Sequence, residues 1–217
     1  MPTHIDKAVF YHIPKTGGTF VSGILTHYMD GKIHKPLINN EFGFRLEHAA
    51  FRDNPTDKPT FCFLRHPLSW YQSYWRYKTR GFEHIGEQDW DEKKIDIDSC
   101  ADFDFNKFVM NVLEKYPDGY VGNMYKHYLE GMDYVGRQES LRGDFIRILN
   151  FIGIEPPVFP IITRQGNNVS QGAKAYYNES TLNKILKVEE EAIEIYYSYG
   201  GDLYAKMQDS RALAKRK

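Results

Sequence analysis

The 217-residue sequence contains only two cysteines, Cys62 and Cys100, far apart, with no CxxC pair and no Cys/His cluster. A structural metal site is not expected from that pattern. Long apolar runs are also missing, and none approaches the roughly 20 residues that a membrane span requires. The first residues, "MPTHIDKAVFYHIPK", lack the basic-then-apolar order of a signal peptide. Together these absences lead to the expectation of a cytoplasmic protein with reduced thiols and no membrane span. An excess of one charge is absent too: the formal net charge is -1. Nothing global would gather nucleic acid, which is not expected as a partner. What the chain does have is 41% hydrophobic and 15% aromatic residues, enough to build a core. Its length fits one domain, 1–217. The acidic stretch 81–104, "GFEHIGEQDWDEKKIDIDSCADFD", reads as an insertion or mobile loop within it.

Hydrophobic spacing places a short buried strand at 8–12 and a helix at 18–29, whose Phe20, Val21, Ile24, Leu25 and Tyr28 recur at helical intervals. Residues 30–47 read as loop and 45–52 as a short helix or turn. A second strand, "PTFCFLRHP", runs to Pro67, which opens a helix carrying Trp70, Tyr71, Tyr74 and Trp75. Helices follow at 104–116, 121–130 and 139–154, with a short strand at 133–137. The three prolines at 156, 157 and 160 predict a rigid extended connector. A polar loop at 163–177 leads into one amphipathic helix from about 180 to 199. Strands alternating with helices predict an α/β fold with a parallel sheet and flanking helices.

The stretch "AVFYHIPKTGGTF" carries the chemistry. A strand, a glycine turn and a helix start make an anion site, because first-turn amides lack intrahelical partners and the helix dipole favours negative charge there. Gly17 and Gly18 allow close backbone approach. Thr16 and Thr19 carry hydroxyls, and Lys15 brings a full charge. The nucleoside-triphosphatase pattern G-x-x-x-x-G-K-[ST] is absent. Arg65 ends the next strand and Ser73 follows on the helix after it. In a parallel sheet both would lie at carboxyl ends of strands, where ligands bind. Arginine grips phosphate with paired donors.

"IPKTGGTF" followed by "FLRHPLSWYQSYW" resembles the paired nucleotide signature of the sulfotransferases that use 3′-phosphoadenosine 5′-phosphosulfate (PAPS). The resemblance implies a P-loop-type parallel sheet. It also implies that Lys15, Thr16, Gly17, Gly18, Thr19 and Phe20 hold the 5′-phosphosulfate, and that Arg65 and Ser73 hold the 3′-phosphate. The segment "DYVGRQESLRGDFIRILNFIGI" is similar to the family's V-G-x-x-E-x-L region, and Ser170 and Lys174 fall in a loop that closes over the nucleotide in related enzymes. PAPS would be the co-substrate and its desulfated form, PAP, the product, with no metal required.

Transfer to a hydroxyl also needs a general base near neutral pKa. Members that sulfate sugar chains place a histidine in a G-H-x-x-F context before the Arg65 strand. Here His48 has Phe51 three residues on, but Glu47 stands where the family has glycine. His48 is the base candidate, with His127 and Glu41 behind it. Arg45 and Arg52 are candidates for touching the acceptor, which is expected to be a carbohydrate. Two other readings compete: a P-loop kinase or hydrolase using ATP and magnesium, and a family member that binds nucleotide without catalysis.

Overall fold

A computed structural model describes residues 2–34, 48–79, 90, 96–165 and 175–199. Its five strands are β1 (Thr3–His4), β2 (Val9–Phe10), β3 (Lys32–Ile33), β4 (Thr60–Leu64) and β5 (Tyr134–Arg137), in the order β3-β1-β2-β4-β5. Strands β2, β4 and β5 are parallel, whereas β1 pairs antiparallel with both β2 and β3. The sheet is therefore mixed, which corrects the expectation of a parallel one. The extra strands are two residues each, too short to leave a periodic signature, and β3 falls where a loop was expected.

All five residues of β4 are buried, as expected of a central parallel strand covered on both faces. Alternation divides the core in two. Val9, Tyr11, Cys62, Leu64 and Val135 point into one cluster with the buried aromatic residues of α2 (Pro67–Thr79). That cluster also takes in α3 (Phe105–Lys115) and α4 (Tyr120–Leu129). Phe10, Phe61 and Phe63 point the other way, against α1 (Gly18–Tyr28) and α5 (Leu141–Ile152). Tyr28, assigned to the core by its spacing, is 54% exposed at the end of α1.

Two further elements depart from the sequence reading. The proline stretch forms a helix, α6 (Val158–Thr163); Pro160 sits in its first turn, where a missing amide costs nothing. The last helix is interrupted at Glu189, after α7 (Glu179–Val188), and helical structure resumes over 190–199. Glu189 is fully buried, and its carboxylate accepts the Tyr71 hydroxyl at 2.6 Å and the Val121 and Gly122 amides at 3.0 Å each. It caps the N-terminus of α4 from a distant part of the chain, satisfying donors that α4 cannot satisfy itself.

At the described end of the acidic segment, residues Asp96–Cys100 form a 3-10 turn with Ile97 and Cys100 in the core. Asp98 accepts the Tyr74 hydroxyl at 2.6 Å and pairs with Lys78 at 2.7 Å, both charges being buried. Residues 81–89 and 91–95 lie outside the described part. Among the described residues, no helix is long and apolar enough to cross a membrane.

Candidate functional site

Because β2 and β4 run parallel with Phe10 beside Phe61, the loop after β2 and Arg65 after β4 emerge at the same edge of the sheet. The loop is held from behind by its carbonyls. Thr16 Oγ1 donates to the Ile13 carbonyl at 2.8 Å, the Trp70 indole N–H to the Pro14 carbonyl at 2.9 Å, and Arg65 Nη1 to the Lys15 carbonyl at 3.2 Å. Among the described residues, the amides from Lys15 to Thr19 find no acceptor. Carbonyls tied back with amides left over is the polarity of an anion cradle. Two left-handed residues shape it, Lys15 at φ 64° and Gly17 at φ 90°. A lysine in that region is strained by about 1–3 kcal/mol, and such strain clusters at functional sites.

Asp104 caps α3 and Asn178 caps α7 with side-chain oxygens, whereas the N-cap residues of α1, α5 and α6 give no side-chain cap. The Gly18 and Thr19 amides of α1 make no hydrogen bond among the described residues. At Gly18 a Cβ would fall 1.7 Å from His12 Cδ2. The His12 ring fills that space, so this glycine makes room for packing under the loop.

Around the cradle the charge is positive. Burial, aided by the Arg65 and Lys78 charges, pulls the Lys15 ammonium down to about 7. Its Nζ lies 3.7 Å from the centre of the Tyr77 ring. Arg65 donates from Nε to Ser69 Oγ at 3.1 Å, while Nη2 makes no bond among the described residues. Burial lowers the Arg65 pKa, the Glu139 charge opposes that, and Arg76 adds local positive charge. Ser69, Ser73 and Tyr77 are four residues apart and share one face of α2. Arg65 contacts the first and Lys15 the third, which places Ser73 between the two cations.

The remaining expected residues are distributed unevenly. Thr19 is exposed at the start of α1. Thr16 is fully buried and its hydroxyl is committed inward. Phe20 packs in the core with its amide already bonded to the Gly17 carbonyl at 3.0 Å. His48 lies beside His12, with ring centroids 4.6 Å apart, and its Nδ1 is 3.0 Å from the His12 carbonyl. Since a carbonyl only accepts, Nδ1 carries the hydrogen, and Nε2 is the ring atom that can take a proton. Burial first, then nearby positive charge including Lys15, pushes the His48 pKa down to about 3. His127 and Arg52 are hydrogen-bonded to each other and line an open cavity of about 470 Å³ with Asn123 and Tyr120; no loop residue lines it. Glu41, Arg45, Ser170 and Lys174 lie outside the described residues.

Ser69 and Tyr77 were not foreseen as parts of the site, and Glu139 entered only as the glutamate of the V-G-x-x-E-x-L resemblance. The i, i+4, i+8 spacing of Ser69, Ser73 and Tyr77 was a visible signal. Comparison of the chain with family models, curated proteins and solved structures found no match.

Proposed function

We propose that this chain is a PAPS-dependent sulfotransferase that moves a sulfuryl group to a hydroxyl of a carbohydrate acceptor. The observation that carries the reading is the bond from Arg65 Nη1 to the Lys15 carbonyl. It joins two motifs 50 residues apart into one cationic site, with spare amides at one end and spare guanidinium donors at the other. Two phosphate-binding ends on one nucleotide match a 3′,5′-bisphosphorylated ligand. A triphosphate would instead call for a lysine at the end of the glycine loop and a metal-binding hydroxyl beside it.

In this reading the Gly17, Gly18 and Thr19 amides hold the 5′ end and Arg65 and Ser73 hold the 3′-phosphate. The bond from sulfur to the phosphate oxygen breaks as the acceptor oxygen bonds to sulfur, and the acceptor's proton goes to His48 Nε2. Negative charge grows on the departing phosphate oxygen, where Lys15 and the loop amides stabilise it. Bound phosphate also raises the pKa of Lys15 and His48 by offsetting the positive charge around them.

One observation favours a second reading, nucleotide binding without transfer: a His48 pKa of about 3 makes a weak base. Thermal shift and transfer assays separate the alternatives. The sulfotransferase reading expects PAP to raise the melting temperature, ATP with magnesium to do less, and radiolabelled sulfate to reach a glycan acceptor. A shift with ATP and magnesium alone would sink it. A shift with PAP but no transfer to any of a panel of glycans would favour the binding module.

A further inference from the structure

The way Arg65 is held extends beyond the residues that would touch a nucleotide. Glu139 lies in the 3-10 turn between β5 and α5, at the same sheet edge as Arg65, since β4 and β5 are parallel with Leu64 beside Arg137. Its Oε1 accepts the His66 amide at 2.9 Å and the Ser69 hydroxyl at 3.1 Å. The Ser69 oxygen in turn accepts Arg65 Nε–H at 3.1 Å. A serine hydroxyl has one hydrogen and two lone pairs. With its hydrogen drawn to the Glu139 carboxylate and the His66 carbonyl, its lone pairs are left for Arg65. Nε is pinned by this route and Nη1 by the Lys15 carbonyl, so the plane of the guanidinium is set before any ligand arrives. Pre-setting the flexible three-methylene arm of Arg65 removes an ordering cost that binding would otherwise carry.

The second carboxylate oxygen reaches the far end of the chain. Glu139 Oε2 accepts the Tyr196 hydroxyl at 2.9 Å. Tyr196 belongs to the helical residues 190–199, and Arg137 grips the same end, donating to the Tyr196 and Tyr197 carbonyls at 3.4 and 3.3 Å.

The geometry points to Glu139 as a positioning residue that orients Arg65 through Ser69, with Tyr196 tying the last described helix to the same carboxylate. This inference rests on Arg65 being the anchor for a 3′-phosphate. Glu139 contacts no ligand in this arrangement and acts only through Arg65. Its effect is therefore confined to ligands that use Arg65.

Calorimetric titration with PAP and with adenosine 5′-monophosphate, which lacks the 3′-phosphate, tests this. Wild type is expected to prefer PAP. Glu139→Gln is expected to weaken PAP by about tenfold, the order of one lost charge-assisted bond, and to leave the monophosphate unchanged. Ser69→Ala gives the same pattern, and the double variant loses no more than either alone. Equal weakening of both nucleotides would mean a general structural role and would overturn the inference, as would no weakening at all. Should Glu139→Gln fail to fold, Ser69→Ala decides the matter by the same criteria. A wild type without preference for PAP removes the reading of the site and the inference with it; a preference that survives both substitutions removes the inference alone.

Discussion

Lys15 is close enough to Lys78 to feel its charge, yet the surroundings of the two differ in kind. Lys78 is buried and bonded at 2.7 Å to a buried carboxylate, Asp98, which also receives the Tyr74 hydroxyl. Lys15 has no carboxylate partner among the described residues; it rests on the Tyr77 ring with two cations nearby. A cation with its counter-charge built in belongs to the scaffold. Under the proposed function, a cation kept among like charges, on a strained backbone beside unbonded amides, is where a counter-charge from outside would bind. The same contrast separates the described end of the acidic segment, closed by internal pairing, from the loop after β2.

The largest expected effect tests the scaffold side. Lys78→Met leaves Asp98 charged in the core and is expected to cost about 3–5 kcal/mol in urea unfolding. Adding Asp98→Leu should recover much of that loss, because the uncompensated charge goes with it. A loss well under 1 kcal/mol for Lys78→Met would mean that the pair is not buried as described.

Lys15→Ala is the matching change on the open side. It is expected to leave folding intact and to lower the transfer rate by about 10²–10³, the usual result of removing one donor from developing charge. Transfer within a factor of three of wild type would take Lys15 out of the chemistry. Gly18→Ala probes the loop without altering charge. The new methyl meets the half-buried His12 ring and is expected to cost about 1–3 kcal/mol, measured by thermal or urea unfolding.

The smallest effect is the proton balance at Lys15. Its pKa is depressed from 10.5 to about 7 in the folded chain. Between those values the unfolded chain binds more protons, so Lys15 makes stability rise with pH across that window. An anion at the loop reverses the depression. Binding then takes up a fraction of a proton near pH 7–8, and affinity falls as pH rises through that range. Titration calorimetry in buffers of different ionisation enthalpy would detect the uptake. Lys15→Met should abolish it; uptake unchanged in that variant would assign the proton elsewhere, with His48 first in line.

Long periodic segments were legible from the residues alone. The stripe of Phe105, Phe108, Val109, Val112 and Leu113 marks α3, and the aromatic face after Pro67 marks α2. Lys15, Arg65 and Ser73 were legible as candidates because strand-to-helix junctions expose amides wherever they occur. Less legible was everything set by distant partners. Strands β1 and β3 exist through pairing, not through pattern. The break at Glu189 serves an α4 terminus that lies 67 and 68 residues away along the chain. Thr16, Phe20 and Gly18 sit in the expected motif, but their neighbours turn the first two inward and give the third a packing role.

By itself the sequence determined the local elements that follow from short-range spacing: a buried central strand, a glycine turn ahead of α1, and the residue types able to hold an anion. Tertiary structure decided which of those residues share a site, which donors stay open, and how Arg65 is aimed. The reason is physical. Helical and strand periodicity are local properties of the backbone, whereas a hydrogen bond from Arg65 to Lys15, or from Ser69 to Glu139, joins positions 50 and 70 residues apart and forms only when the sheet brings them together.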